Sequence, residues 1–144
     1  VVKKVIAGLD KQAKNKSIEI RVDIPSNLPD VSADEVRIAQ VLLNLIDNAI
    51  KYNKEKGSVI ISAREKNGFI QIDISDTGVG VSEKDMPRIF ERFYRVDKAR
   101  SRELGGTGLG LSIVKHIITA HQGEISVQSV LGQGSTFSFT IPKA

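Results

Sequence analysis

Five short segments of the chain alternate apolar and polar residues, which is the pattern of strands with one buried face. In chain order they are SIEIRVDI, SVIISAR, FIQIDISD, EISVQSV and STFSFTIP. Asn67-Gly68, between the second and third segments, is typical of a tight β-hairpin, and Gly132-Gln133-Gly134 marks another turn between the last two. Short connections predict antiparallel neighbours, whereas the longer ones leave room for parallel pairing.

Three other segments repeat their apolar residues every three or four positions, which predicts helices. They cover residues 1–14, 33–52 and 109–121. Ser32 and Glu35 have the spacing of a capping box at the start of the second helix, and Ser82 with Asp85 repeats it before MPRIFERFY. The elements together predict an α+β domain, a two-layer sandwich with a mixed sheet of about five strands and three helices on one face.

The second helix is apolar around most of its circumference and has a narrow polar stripe. Asparagine is a mediocre helix former, so Asn44 and Asn48, one turn apart, need an explanation. One explanation is an ordinary solvated face. The other is a pocket in which a carboxamide oxygen is a neutral ligand for Mg²⁺ that arrives with phosphates. The stripe runs through Gln40, Asn44, Asp47, Asn48 and Lys51.

The third strand segment ends on an acid that shares the phase of its apolar residues. Ile72 and Ile74 belong to the core face, and Asp76 continues that face. A buried carboxylate without a partner is costly, so we expect its partner to be either backbone amides of the following turn or a ligand amino group. Gly78 and Gly80 would let a ligand ring lie against bare backbone, and adenine has the required amine.

From Gly105 to Gly110 the sequence GGTGLG places four glycines directly before or within the start of the third helix. Neither common phosphate loop fits, because Leu111 stands where a P-loop needs lysine and the third glycine of a dinucleotide loop falls one position early. Free N–H groups at a helix N-terminus still attract phosphate. The alternative is a flexible capped loop without a ligand.

Composition limits the class of protein. The 144 residues are 40% apolar and 26% charged, which suits one domain, and without cysteine there is neither a disulfide nor a thiolate metal site. We find no apolar run long enough to span a bilayer and no signal peptide, and the start inside a helical pattern indicates a fragment. The net charge is +4, and basic residues concentrate at 88–102, which suits a polyphosphate as well as a nucleic acid.

Five ordered motifs strongly resemble the catalytic, ATP-binding domain of bacterial sensor histidine kinases. The same superfamily includes gyrase, mismatch-repair ATPases and a heat-shock chaperone, and the resemblance implies its Bergerat-type fold with an ATP lid loop. The lid region is most similar to that of Gram-positive phosphate-responsive and cell-wall-responsive kinases. The motifs are NLIDNAIKY, DTGVG, IFERFYR, GGTGLGL and GQGSTFSFTIP.

The resemblance implies that the first motif handles the phosphates and the metal. Asn48 would coordinate Mg²⁺, and Asn44 would help to position it. Lys51 would reach the phosphates, and Tyr52 would lie near the adenine or the lid.

The second and last motifs would bind the adenine. Asp76 would accept a hydrogen bond from the adenine amine, usually with a bridging water. Gly78 and Gly80 would shape the floor beneath the ring, and Thr136 would join the water network.

The lid would cover residues 95–108, with Phe90 and Phe93 anchoring its root. Arg92 or Arg95 would contact the γ-phosphate. The residues expected to wrap the phosphates are Gly106, Thr107, Gly108, Leu109, Gly110 and Leu111.

Residues 1–144 would form one catalytic domain, in which residues 1–16 are the tail of the helix that links it to a dimerisation domain. The phosphoacceptor would lie on that missing helical hairpin, because neither His116 nor His121 has the acceptor's acidic neighbour. The other expected partner is a response regulator, and none is a nucleic acid. The parent would be a homodimer anchored in the plasma membrane with this domain in the cytoplasm. The fragment would be a monomer that does not phosphorylate itself.

Two other classes of protein stay open. One is an ATPase of the gyrase or mismatch-repair kind that acts on DNA. Such hydrolysing members have a glutamate general base one turn before the Mg²⁺ asparagine, where this chain has Asn44, and an amide cannot accept the proton from water. The other is a nucleotide-binding module without transferase activity, which the intact motifs argue against.

Overall fold

The computed structural model describes residues 2–92, 94 and 110–144. Met86–Arg88 form a 3₁₀ turn. No helix within these described residues has both the length and the apolar character needed to cross a membrane. The helices and strands of this part of the chain are α1 (Val2–Asn15), β1 (Glu19–Asp23), α2 (Glu35–Lys51), β2 (Ser58–Lys66), β3 (Phe69–Asp76), α3 (Gly110–Ala120), β4 (Ile125–Val130) and β5 (Gly134–Pro142).

The strands form a mixed sheet in the order β1-β2-β3-β5-β4. β1 runs parallel to β2, since α2 connects them and returns the chain to the same end of the sheet. The other neighbouring pairs are antiparallel. In the turn between β2 and β3, Asn67 and Gly68 have φ angles of 52° and 82°, as an Asn-Gly hairpin requires.

The core lies between the helices and one face of the sheet. Val59, Ile61 and Ile74 from the two central strands are fully buried, and so is Val114 of α3. α2 packs against both α1 and α3 and contacts the sheet through β2 and β3. The structure therefore confirms the predicted two-layer α+β sandwich with a mixed sheet and helices on one face.

The start of α2 differs from the prediction. Asp34 is the N-cap, because its Oδ1 accepts hydrogen bonds from the N–H groups of Val36 and Arg37 (3.0 and 3.3 Å). Ser32 lies beside β5 instead, and its N–H donates to the carbonyl oxygen of Pro142 (3.0 Å). The capping box predicted at Ser32 is wrong, since aspartate caps a helix as well as serine and stands closer to the first turn.

The second capping pair forms and opens a short element. The Ser82 hydroxyl donates to Oδ2 of Asp85 (2.8 Å), and the Asp85 N–H donates back to the Ser82 oxygen (3.3 Å). The residues that follow form the 3₁₀ turn rather than a longer helix. Ile89, just after this turn, is buried in the core.

Candidate functional site

Asp76 ends β3 on the face of the sheet that is covered by the helices. It pairs in register with Val59 of β2 and Ser135 of β5, and it is half-buried. Burial raises the pKa of its carboxyl group, while hydrogen bonds from the backbone of Gly78 and Ser135 act in the opposite direction. The position agrees with the strand phase read from the sequence.

The turn after β3 supplies part of what this carboxylate needs. The N–H of Gly78 donates to Oδ1 of Asp76 (2.8 Å). A carboxylate has room for about four hydrogen bonds, so acceptor capacity remains for a ligand amine. The two partners proposed from the sequence, turn amide and ligand, are therefore compatible.

Gly78 and Gly80 are glycines because protein backbone lies where a Cβ would be. A Cβ on Gly78 would overlap the carbonyl oxygen of Tyr52, and one on Gly80, whose φ is 72°, would overlap that of Val130. The N–H of Val79 donates to the same Tyr52 carbonyl (3.0 Å). The turn is thus held between the end of α2 and the β4–β5 hairpin, which gives these glycines a role in packing as well as any role towards a ligand.

The side chains of the polar stripe of α2 differ in whether they form a hydrogen bond or an ion pair with described residues. Nδ2 of Asn44 donates to the carbonyl oxygen of Gly110 (3.4 Å), which joins α2 to the first turn of α3. The half-buried Asn48 side chain has no hydrogen bond to any described residue. Nζ of Lys51 forms an ion pair with Oδ2 of Asp47 (2.9 Å), and these side chains are 28% and 23% exposed. Unlike Asn48, Lys51 already has a partner.

The glycine-box helix begins beside this stripe. Gly110 and Leu111 are half-buried in the first turn of α3, and Leu111 packs against the core. Of the phosphate-wrapping residues predicted from the sequence, Gly110 lies next to Asn44, and Leu111 follows it in the same turn. Predictions that fall outside the described residues are those for Phe93, Arg95, Gly106, Thr107, Gly108 and Leu109.

Thr136 does not join the other predicted residues. It pairs with Ser75 on the opposite face of the sheet from Asp76, and the two hydroxyl groups are 2.9 Å apart. Ser135 is the residue on the Asp76 face: it is 8% exposed, and its hydroxyl lies 2.8 Å from that of Ser129. The structure therefore places Thr136 on the face away from Asp76, and its expected part in a water network stays a prediction.

The described part of the aromatic motif packs against the sheet and the preceding turn, while its expected role at the root of the lid stays a prediction. Phe90 packs edge-on against Phe137, with ring centroids 6.2 Å apart. Tyr94 donates its hydroxyl hydrogen bond to Asp85, which raises the pKa of the tyrosine and lowers that of the carboxyl group. The guanidinium of Arg88 lies 4.6 Å from the centre of the Tyr94 ring. Arg92, a candidate for the γ-phosphate contact, is exposed.

Any divalent metal bound here would depend on a ligand for most of its coordination. Among the described residues, no three His, Cys, Asp or Glu side chains are grouped so that they could hold a metal ion. The carboxamide of Asn48 has no hydrogen bond to a described residue, and its oxygen suits a divalent metal as a single protein ligand. Mg²⁺ commonly binds in this way, through few protein oxygens together with phosphates and water, so the residues present fit it.

Sequence reasoning missed a buried support beneath the end of α2. Asn53 is 2% exposed; its Nδ2 donates to the Ser58 carbonyl oxygen (3.0 Å), and its Oδ1 accepts from the Thr77 hydroxyl (3.0 Å). Lys16, at the end of α1, reaches the same place with its ammonium group. Long-range contacts of this kind leave no periodic signal in the sequence.

The histidines have positions that suit structural roles. His116 is exposed on α3. The Nδ1 atom of His121 lies 2.8 Å from the Ile117 carbonyl oxygen, and Nε2 accepts from the N–H of Asp34 (3.0 Å). That arrangement requires the ring proton on Nδ1 and ties the end of α3 to the N-cap of α2.

Residues 33–144 match the family described as histidine kinase-, DNA gyrase B-, and HSP90-like ATPase. A relative, the sensor-like histidine kinase SenX3 of Mycobacterium tuberculosis, is 45% identical over 142 residues, which are 99% of this chain. The chain spans 34% of the length of that curated relative.

Solved structures agree with this match. The catalytic domain of the histidine kinase ThkA superposes with a TM-score of 0.85 at 29% identity, over 99% of this chain and 90% of that one. Full-length ShkA in complex with AMPPNP gives a TM-score of 0.87 at 38% identity, over 99% of this chain and 29% of ShkA. ThkA has also been solved in complex with the response regulator TrrA.

Proposed function

This chain belongs to the histidine kinase-, DNA gyrase B-, and HSP90-like ATPase family, and we propose that it binds ATP with Mg²⁺ and passes the γ-phosphoryl group to a histidine on a separate helical hairpin. In that transfer an imidazole nitrogen attacks the γ-phosphorus with its lone pair, and the bond from that phosphorus to the bridging oxygen of ADP breaks. ADP leaves, and the ring proton of the phosphorylated imidazolium passes to solvent. Phosphoryl transfer depends on positioning and charge neutralisation more than on covalent chemistry by the protein.

The observation that carries the proposal is the acceptor at the end of β3. Asp76 is half-buried, faces the helices and keeps acceptor capacity after its bond to Gly78. This combination suits the exocyclic amine of adenine, which is a donor. Ser135, on the same face in the neighbouring strand, would join the water network in which Thr136 is also expected.

The phosphates would lie along the polar stripe of α2. Asn48 would help to hold Mg²⁺ there, and the metal would supply neutralisation of the phosphate charge. Asn48 offers the metal a carboxamide oxygen, and Asn44 positions the start of α3 through its bond to Gly110. Lys51 would exchange Asp47 for a phosphate oxygen, and Tyr52 would border the adenine or the lid.

The remaining contacts would come from the lid and the glycine box. Residues 95–108 would form the lid, and Arg92 or Arg95 would contact the γ-phosphate. Amide groups at a helix N-terminus suit phosphate, which supports the assignment of the start of α3. The glycine-box residues proposed to wrap the phosphates are Gly106, Thr107, Gly108, Leu109, Gly110 and Leu111.

The wider organisation is proposed from the relatives. Residues 1–144 would be one catalytic domain, with residues 1–16 as the tail of the linker helix from a dimerisation hairpin. That hairpin would carry the acceptor histidine, and a response regulator would receive the phosphoryl group next, consistent with the ThkA complex with TrrA. The parent would be a homodimer anchored in the plasma membrane, with this domain in the cytoplasm.

The direct test is phosphoryl transfer from γ-labelled ATP to an added helical hairpin that carries a phosphoacceptor histidine. We expect label on the hairpin, no label on this chain alone, and a loss of at least about tenfold in Asn48→Ala, because removing an oxygen ligand weakens metal binding. Asn27→Ala, which changes an exposed loop asparagine, is the matched control and should keep full activity. ATP binding without any labelling of the hairpin would instead indicate a non-catalytic nucleotide module.

A further inference from the structure

Lys16 joins the end of α1 to the end of α2. Its ammonium group donates to the carbonyl oxygens of Ile50, Lys51 and Asn53 at 3.1, 2.6 and 3.0 Å. Its own carbonyl oxygen accepts from the N–H of Lys56 (3.0 Å). The residue is half-buried, and more than thirty positions of chain separate it from the carbonyls it contacts.

These contacts satisfy groups that a helix leaves open. The last carbonyl oxygens of an α-helix have no partner within the helix, and a cation there also interacts favourably with the helix dipole. The Nζ atom of Lys16 meets both needs for α2. The last turn of α2 is the part of the helix from which Asn48 and Lys51 extend.

The same turn sets the position of the base-binding residues. Tyr52 is the C-cap of α2, and it stands between Lys51 and Asn53, whose carbonyl oxygens Lys16 binds. The Tyr52 carbonyl accepts from the N–H of Val79 (3.0 Å) and lies against Gly78. The N–H of Gly78 then donates to Asp76. A displacement of the helix end would therefore reach the carboxylate through two hydrogen bonds and one backbone contact.

We propose that Lys16 is a positioning residue of the nucleotide site, which holds the end of α2 so that Asn48, Lys51 and the Asp76 turn keep their relative places. This inference rests on the proposed binding of a nucleotide. The ammonium group of Lys16 would act through the backbone carbonyl oxygens of Ile50, Lys51 and Asn53 and not through contact with the nucleotide. Its effect should therefore show in affinity and in the geometry of the Asp76 turn, and not only in stability.

The test compares Lys16→Met with Lys14→Met by calorimetric titration of the folded protein with ADP and Mg²⁺. Methionine keeps an unbranched stem of similar length and removes the cation. Lys14 is a matched control, because its side chain is 78% exposed and its ion pair is with Asp10 on the same helix. We expect Lys16→Met to bind ADP about tenfold more weakly, within the range for residues that act through a contact network. Lys14→Met should bind like the wild type.

A conservative variant separates positioning from plain loss of stability. Lys16→Arg keeps a cation with several donors, so it should recover part of the lost affinity. The amide NMR signals of Gly78 and Val79 should move in Lys16→Met and return towards their wild-type positions in Lys16→Arg. If Lys16→Met binds ADP like the wild type, or if these signals stay in place while only the unfolding temperature falls, the inference is wrong.

Hydrogen exchange of the unmodified protein covers the case in which Lys16→Met does not fold. Coupling between two sites is reciprocal, so ADP with Mg²⁺ should slow exchange at the N–H of Lys56, which donates to Lys16. Unchanged exchange at Lys56 in the presence of bound ADP would overturn the inference. If the wild type does not bind ADP at all, the proposed function has failed instead.

Discussion

In the proposed site, Asn44 would lie where hydrolysing members of the superfamily are expected to have a catalytic base. It lies one turn before Asn48 on α2, and its carboxamide donates to Gly110. A carboxamide cannot take a proton from water, which favours retention of ATP for transfer over hydrolysis. Slow hydrolysis of ATP would therefore follow from the chemistry of the Asn44 side chain itself.

Asn44→Glu should raise ATP hydrolysis, by up to about 100-fold if the new carboxylate acts as a general base. Asn44→Gln is the matched control, since glutamine has the same length as glutamate and no basic oxygen. Phosphate release, measured beside ADP affinity for both variants, decides the matter. Equal hydrolysis by the two variants, with nucleotide still bound, would contradict this account of Asn44.

Asp76→Asn should weaken nucleotide binding without lowering the stability of the folded protein. Asparagine keeps an oxygen for the Gly78 amide, but it cannot offer the charge that an adenine amine prefers, so nucleotide binding should weaken by about 2 kcal/mol. The folded protein should not lose stability at neutral pH, because the buried charge is costly. Titration with ADP and urea unfolding of both proteins test this pair of outcomes, and a variant that binds like the wild type would remove Asp76 from the site.

The same variant gives the sign of a pH effect. Burial raises the pKa of Asp76 in the folded protein, so the folded state holds this proton more tightly than the unfolded chain does. The cost of its charge is present above the folded-state pKa and is lost as the pH falls through that value. The free energy of unfolding of Asp76→Asn, relative to that of the wild type, should therefore fall as the solution is acidified.

The positions of single residues could be predicted where the strand or helix period determined the face on which they lie. Strand alternation placed Asp76 on the core face, and the helical stripe brought Asn44 and Asn48 together. The expectation for Thr136 came from the resemblance alone, and the structure places this residue on the face of the sheet opposite Asp76. Lys16 could not be predicted, because its partners are distant in sequence and are backbone carbonyl oxygens, which any residue provides.

Among the elements, α2 depends on how its first turn begins. Asp34→Ala should lower the free energy of unfolding by about 1 kcal/mol, since it removes the acceptor for the N–H groups of Val36 and Arg37. Ser32→Ala should change it far less, because Ser32 contacts β5 through its backbone. Urea unfolding of both variants measures the difference. Equal losses would mean that the cap assignment is incorrect.

Element types followed from periodicity, whereas their ends and pairings depended on tertiary contacts. Alternation predicted the strands, and Asn67-Gly68 predicted the β2–β3 hairpin. The parallel pairing of β1 with β2 was only permitted by the sequence, because it arises from the path of α2 between them. The pair Ser82 and Asp85 predicted where an element starts, but a capping pair carries no information about where the element stops.

At the scale of the whole molecule, the helices and the sheet divide the site between them. In the proposed site, the sheet would supply Asp76 and Ser135, and α2 would supply Asn44, Asn48 and Lys51. The core between these layers includes residues from both, such as Ile46 and Ile74, and these are fully buried. This division explains why motifs far apart in the sequence meet at one end of the domain.

The central place of β3 in the sheet has a mechanical consequence. β3 is hydrogen-bonded to β2 on one side and β5 on the other, so the backbone beneath Asp76 is clamped along both edges. A bound base would therefore contact a rigid surface on this side of the site. In the proposed complex, the adjustment to a triphosphate would fall to α2, where the ammonium group of Lys51 would have to leave Asp47.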